Sequence, residues 1–363
     1  MPNSHWLVQP DGTVLEIDPR TAPPLDFARD FHLKVLALLD ESKINNLSFY
    51  ICIHPPVSLP RYGSDVVLVI LGDEYHISFS YFSDILAVLR CYGTRQEYLD
   101  GVPTRLLRFL ALLQFAYKSI GSWKLMLGSW LTGGTFPGLA AARTLHIPLG
   151  CFSECPSGGA EFASRKIDFA FLGSVGTSGE DLRRFSLRGI LSPPKIRARR
   201  EMIRALTQVM EGGKWNGVLQ KTTTFADSTS KQLAYNNAMA QTKISVCPRG
   251  SNYETYRFYE SYRSGCVVIC EPLPDVWFYK DHPGIIIRNW TRLPEILDSL
   301  LSDPDRLQSL AAASRAFWDE TLNKRVIAAH IEGFLVNLTE NEKRNQSYRN
   351  LSRAQLPTAV LPE

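Results

Sequence analysis

Six consecutive apolar residues, Val66 to Leu71 (VVLVIL), stand between Gly63-Ser64-Asp65 and Gly72-Asp73. A run this short, bounded by turn residues and rich in β-branched side chains, reads as a strand covered on both faces, the condition of a strand inside a parallel sheet. Helices must then lie above and below it. From Leu25 to Leu39, Phe27, Phe31, Val35 and Leu38 recur at helical spacing, and Leu47 to Ile53 (LSFYICI) reads as a further strand. Tyr81 to Arg90 continues the alternation as a helical pattern, and Thr144 to Gly150 (TLHIPLG) closes this half with a strand and turn. The first half is α/β.

A segment rich in Ser, Gly and small residues, Ser153 to Lys166, reads as a linker. Beyond it the alternation resumes. Strands are expected at Ile167 to Ser174, near Val218, at KISVCP from Lys243, at CVVIC from Cys266 and at GIIIR from Gly284, with a basic helix around KIRARREMIRAL. Asp303 to Leu338 is helical in pattern, and Thr339 onward is polar and expected to be mobile. A chain of 363 residues exceeds what one core usually supports. The division expected is 1–155, 156–340 and a polar tail 341–363.

Net charge is +4, from 40 Lys and Arg against 36 Asp and Glu, which is too balanced to argue for a nucleic-acid partner. The start MPNSHWLVQPDG lacks the features of a secretory signal, and no run of about 18 apolar residues occurs. Seven cysteines do not form a disulfide pattern, so a soluble, cytoplasmic chain is expected. Asn-x-Ser/Thr triplets at Asn46, Asn289, Asn337, Asn345 and Asn350 have no leader beside them. The most apolar helix candidate, Leu106 to Tyr117, is too short to span a bilayer; it suits a core helix, or a surface helix that meets a lipid or greasy acceptor at a membrane surface.

The chemistry concentrates in CPRGSNYETYRFYESYRSGCVVICEPLP, Cys247 to Pro274. Ligands of open α/β sheets sit beyond the carboxyl ends of strands, where loop and helix N–H groups meet anions. KISVCP supplies such a strand, RGSN its loop, Glu254 to Ser264 a helix and Gly265 its C-terminal cap. Arg249 would face a diphosphate, which a guanidinium fits. Arg257 and Glu260 lie one helical turn apart, which suits a ribose clamp by Glu260 or an intrahelical ion pair.

The order CPRG, TYRFYESYRSGCVVI, PLPDVWFYKDHPGIIIRNW resembles the C-terminal half of exostosin-like glycosyltransferases, and DFAFLGS, the helix around Arg200 and Tyr235 fall in the same order. In the first half, the Gly-Asp-Glu segment and HIPLG are similar to that family's pattern. Val268 stands where family members commonly have proline, and residues between Cys91 and Arg143 match no part of it. The resemblance implies a GT-B fold, two Rossmann-like domains facing a cleft. Its implied activity is transfer of a hexose or pentose from a nucleoside diphosphate sugar, a UDP-sugar favoured, to a hydroxyl of a glycan or lipid-linked glycan, as in polysaccharide biosynthesis. Such enzymes generally need no metal or other cofactor. Arg249, Arg200, Arg257 and amides near Gly173, Ser174 and Gly250 would hold the donor.

An inverting transfer also needs a base. Asp73, Glu74 and His76 follow the VVLVIL run at a strand's carboxyl end, with Glu74 or Asp73 preferred; acidic residues there also serve as caps. Two other classes remain open: a catalytically silent nucleotide-sugar-binding subunit, and a membrane-surface scaffold acting through Leu106 to Tyr117.

Other signals carry less. GSVGTSG, Gly173 to Gly179, lacks the Lys-Ser/Thr of a P-loop. Cys151, Cys155 and His146 lack a second ligand pair for zinc. Cys266 and Cys270 lie about 13 Å apart along one strand, too far to share an ion. KIRARR suits a solvated face or an anion site, and Trp277, Phe278 and Tyr279 suit a sugar pocket or packing under a loop.

Overall fold

The computed structural model describes residues 2–22, 29–42, 44–72, 79–92, 142–152, 161–174, 194–222, 229–250 and 253–354. Leu106 to Tyr117 lies outside them, as does most of the Ser153 to Lys166 segment.

The first sheet contains β1 (Ser4–Val8), β2 (Val14–Glu16), β3 (Ser48–Cys52), β4 (Gly63–Ile70), β5 (Ile85–Arg90) and β6 (Thr144–His146), in the order β2-β1-β3-β4-β5-β6. All neighbours pair in parallel except β2, which forms an antiparallel hairpin with β1. The VVLVIL run is buried on both sides, as its composition requires. Val67, Val69 and Leu71 enter a core shared with Leu36 and Leu39 of helix α1 (Arg29–Asp40), while Val66, Leu68 and Ile70 enter another with Tyr50, Tyr81 and Val88. At about 1.5–3 kcal/mol per fully buried aliphatic side chain, this strand contributes heavily to the unit's stability.

Tyr81 to Arg90, expected as a helix, is a short 3-10 turn (Tyr81–Asp84) followed by strand β5. The apolar stretch ILAVL is compatible with a buried helix turn or a strand, and periodicity over five residues does not separate them. Backbone pairing with β4 on one side and β6 on the other decides for the strand.

The second sheet contains β7 (Ile167–Ser174), β8 (Gly217–Thr222), β9 (Thr242–Cys247), β10 (Val267–Cys270) and β11 (Ile285–Ile286), all parallel, in the order β11-β10-β9-β7-β8. Helices α2 (Pro194–Glu211), α3 (Thr229–Ala240), α4 (Tyr256–Arg263), α5 (Leu293–Leu301) and α6 (Pro304–Phe317) accompany it. Met202 and Leu206 of α2 join Phe169, Phe171, Ile244 and Ile269 in a core on one face. On the other, Ala170, Leu172 and Cys266 meet Met239 of α3. The two Rossmann-like units expected for this chain are therefore present.

The last helix, α7 (Lys324–Ala354), crosses back to the first unit and packs on α1 and β5. Ile327, Ile331 and Leu335 lie in the same core as Leu36, Phe49 and Leu89. The polar stretch after Thr339, expected to be mobile, continues this helix through Ala354. It is rich in Glu, Lys, Arg and Gln, good helix formers, and Arg344 pairs with Glu340 one turn earlier at 3.8 Å. Extending an already packed helix needs no new nucleus.

Candidate functional site

Counting the second sheet's strands in chain order, their spatial order is 2-1-3-4-5, so the direction of winding reverses between β7 and β9. The helices that follow these two strands, α2 (Pro194–Glu211) and α4 (Tyr256–Arg263), pack on opposite faces of the sheet, and the carboxyl ends between them are the usual ligand position of doubly wound sheets. Gly173 and Ser174 end β7; Cys247 ends β9, and Pro248 to Gly250 follow it. Helix α4 runs back from this edge and stops in a Schellman motif: Gly265 has φ +65°, its N–H donates to Tyr262 O at 2.9 Å and that of Cys266 to Ser261 O at 2.9 Å.

Arg257, in the first turn of α4, is 8% exposed and reaches across to β7. Its Nε donates to Leu172 O at 2.6 Å, and its guanidinium lies 4.3 Å from the Phe171 ring centroid. Its Nη1 is buried with no hydrogen-bond partner among the described residues. Arg249, 5% exposed, sits over the Tyr253 ring at 4.1 Å, and its Nε is likewise buried and unpartnered among those residues. Neither guanidinium takes part in an ion pair among the described residues. From α2, Arg199 Nε donates to Arg249 O at 3.2 Å, and the neighbouring Arg200 is also buried. KIRARR is thus no solvated face at its C-terminal end. Buried N–H groups without acceptors are rare in proteins, and two charged side chains that carry them at one edge of a sheet are suited to an anion. Arg165, at the opposite end of the sheet, is the contrast: it donates to the carbonyls of Thr242, Ser264 and Gly265.

Two carboxyl groups, the buried Glu260 and the half-buried Glu271, lie beside these cations, and a third, the buried Glu254, stands apart from them before α4. Glu260 makes no ion pair with Arg257; its Oε1 accepts the N–H of Phe152 at 3.2 Å and its Oε2 the hydroxyl of Tyr235 at 2.5 Å. Burial raises its pKa, against the opposing influence of Tyr235, Arg263, the Phe152 N–H and Arg257. Glu271, directly after β10, accepts the Arg249 N–H at 2.8 Å, and burial likewise raises its pKa. Glu254, in the loop before α4, accepts the N–H of Tyr92 at 3.3 Å, and burial lifts its pKa to about 8.

The geometry brings Gly173, Arg200, Arg249, Gly250, Arg257 and Glu260 into the second unit's carboxyl edge or the elements packed on it, with Ser174 at the end of β7. Asp73, Glu74 and His76 lie outside the described residues, following β4. Trp277 is packed between the units: its indole donates to His146 O at 2.7 Å and stacks on His330 at 3.9 Å, while Phe278 and Tyr279 are buried. The six described cysteines are buried free thiols. No helix among the described residues is long and apolar enough to cross a membrane. Glu254, Glu271 and Arg199 were not singled out from sequence. Glu271 had a signal, a carboxylate at the end of a buried strand; Glu254 and Arg199 take their importance from partners that sequence spacing does not reveal.

Residues 195–306 match the family model described as the RXYLT1 C-terminal domain, a span that includes Arg199, Arg249, Arg257, Glu260 and Glu271. No curated protein matches the chain by sequence. Among solved structures, TarM of S. aureus, crystallised with UDP, is similar at 12% identity, with 91% of this chain and 60% of that chain covered and a TM-score of 0.42. Sucrose-phosphate synthase from Thermosynechococcus elongatus is similar at 12% identity over 98% of this chain and 100% of that one, TM-score 0.44. WaaG, a glycosyltransferase of lipopolysaccharide biosynthesis, is similar at 11% identity over 86% and 97%, TM-score 0.43. The chain spans about 60% of the length of TarM, the first of these.

Proposed function

We propose that the chain is a glycosyltransferase of GT-B architecture that takes a nucleoside diphosphate sugar in the crevice between β7 and β9 and moves the sugar to a hydroxyl of a glycan. The observation that carries this reading is the pair of buried, unpartnered guanidinium N–H groups of Arg249 and Arg257 at the switch point of a doubly wound sheet. A diphosphate is the ligand that such a pair fits, because it offers several charged oxygens to directional donors. The family-model match over 195–306, which contains both arginines, supports the same reading.

In this reaction the acceptor oxygen bonds to the sugar's anomeric carbon as the bond to the diphosphate oxygen breaks. Arg249 and Arg257, with main-chain amides near Gly173, Ser174 and Gly250, stabilise the leaving diphosphate, and Arg200 adds positive charge. Glu260 meets the ribose through lone pairs left over from its bonds with Phe152 and Tyr235, since each carboxylate oxygen accepts two hydrogen bonds. Asp73 or Glu74, beyond β4, takes the acceptor's proton, with His76 as the alternative.

A thermal-shift panel of UDP, GDP, CDP, ADP and their sugar conjugates tests this directly, with Arg249→Gln as control. A ligand at 100 times its Kd adds about 2.7 kcal/mol, readable as several degrees in Tm. Stabilisation by one nucleotide that is lost in the control is expected. No shift with any of them, or a shift indifferent to Arg249→Gln, would overturn the assignment.

A further inference from the structure

Hydrogen bonds join the second unit to the first unit or to the segment leaving it: among the described residues Glu254 accepts from Tyr92 N, Glu260 from Phe152 N, and Trp277 donates to His146 O. Glu254 is the odd member of this seam. It is 2% exposed and takes part in no ion pair among the described residues; its Oε1 is buried without a hydrogen bond of ordinary geometry among them, and the main-chain N–H groups of Tyr92 and Leu149 are what oppose the effect of burial on its carboxyl. The titratable groups facing it are Cys91 at the end of β5, Tyr259 of α4 and Tyr279 after β10, all neutral acids that offer no positive charge. A carboxylate cannot remain charged at such a position without a large desolvation penalty, whereas a neutral carboxyl can.

We propose that Glu254 is a proton-carrying latch between the two units: its carboxyl must be protonated for the seam to close, so that closing takes up one proton and opening releases it. Opening exposes Glu254 to water, where its pKa returns to the ordinary value near 4.5. The closed form therefore binds more protons than the open form between that value and about 8. Across this window the closing equilibrium weakens as pH rises, by up to roughly tenfold per unit, and it is level below and above it. Tyr92, whose N–H the latch holds, has a left-handed φ of +54° that an open seam is free to relax. The inference concerns the seam alone and does not depend on which ligand the crevice takes.

Amide hydrogen exchange on the full chain from pH 5 to 9, corrected for the intrinsic pH dependence of exchange, tests the latch. The expected result is that protection of Tyr92 falls up to roughly tenfold per unit toward pH 8 and then levels, while Val67 and Val267 in the two sheets keep theirs. Glu254→Gln, which keeps an acceptor and never ionises, is expected to hold Tyr92 protection constant over the same range. Constant protection in the wild type overturns the latch. So does a parallel loss at Tyr92, Val67 and Val267, which would mean that the proton is linked to global unfolding. Should Glu254→Gln not fold, the wild-type comparison of these three amides decides by itself.

Discussion

Gly173 and Arg257 share one space: a Cβ built on Gly173 would stand 1.8 Å from Arg257 Nη2, and Gly173 has φ +151°. The absence of a side chain at the end of β7 is what lets Arg257 reach the Leu172 carbonyl. Gly173→Ala is expected to push the guanidinium away and to destabilise the chain by about 1–3 kcal/mol, with a matching loss of nucleotide affinity. Urea denaturation and nucleotide titration read both. Unchanged stability and affinity would show that Arg257 has another way to lie.

Tyr235→Phe removes one hydrogen bond to a buried carboxyl without changing the ring. A loss of about 1–3 kcal/mol is expected, because Glu260 Oε2 then lacks its donor. Glu260→Gln is expected to be milder than Glu260→Ala, since the amide oxygen still accepts from Phe152 or Tyr235. Equal losses in these two variants would argue that the hydrogen bonds contribute little.

Glu271 gives a pH prediction with a definite sign. Its pKa is raised by burial, so its contribution to stability is greatest below the ordinary carboxylate value and is lost as pH rises through the raised one. Glu271→Gln keeps an acceptor for the Arg249 N–H but does not ionise. Relative to the wild type it is expected to gain stability as pH rises above the ordinary carboxylate value, measured as the difference in urea midpoints. A constant difference would mean that Glu271 ionises freely in the fold.

Trp277 fastens the second unit to β6 and to α7 at once. Trp277→Phe keeps a ring for His330 and loses the indole N–H, an expected loss of about 0.5–1.5 kcal/mol. Trp277→Ala removes both contacts and is expected to lose about 3–5 kcal/mol and to expose α7 to limited proteolysis. Equal protease resistance in all three chains would place the docking of α7 entirely in Ile327, Ile331 and Leu335.

Much of the fold was legible in local pattern. VVLVIL and CVVIC announced buried strands because a strand inside a parallel sheet must be apolar on both faces, and Gly265 announced the end of α4 because the Schellman turn requires a left-handed residue. The stretch ILAVL misled because five apolar residues fit either a buried helix or a strand. The polar stretch after Thr339 misled because composition alone does not reveal that a packed helix is already in place to be extended.

At the site, residue types and spacing by themselves determined that cations would gather after β9 and on the face of α4, since a strand, a turn and a helix follow one another within a few dozen residues there. Only the tertiary structure decided what those side chains do. Arg257 turned from Glu260 to a carbonyl of β7, Glu260 turned to Tyr235 and Phe152, and Glu254 became a buried acid at a seam between units. The reason is physical: hydrophobic periodicity is a property of neighbouring residues, whereas desolvation and hydrogen-bond partners are set by segments that meet only when both sheets and the returning helix are in place.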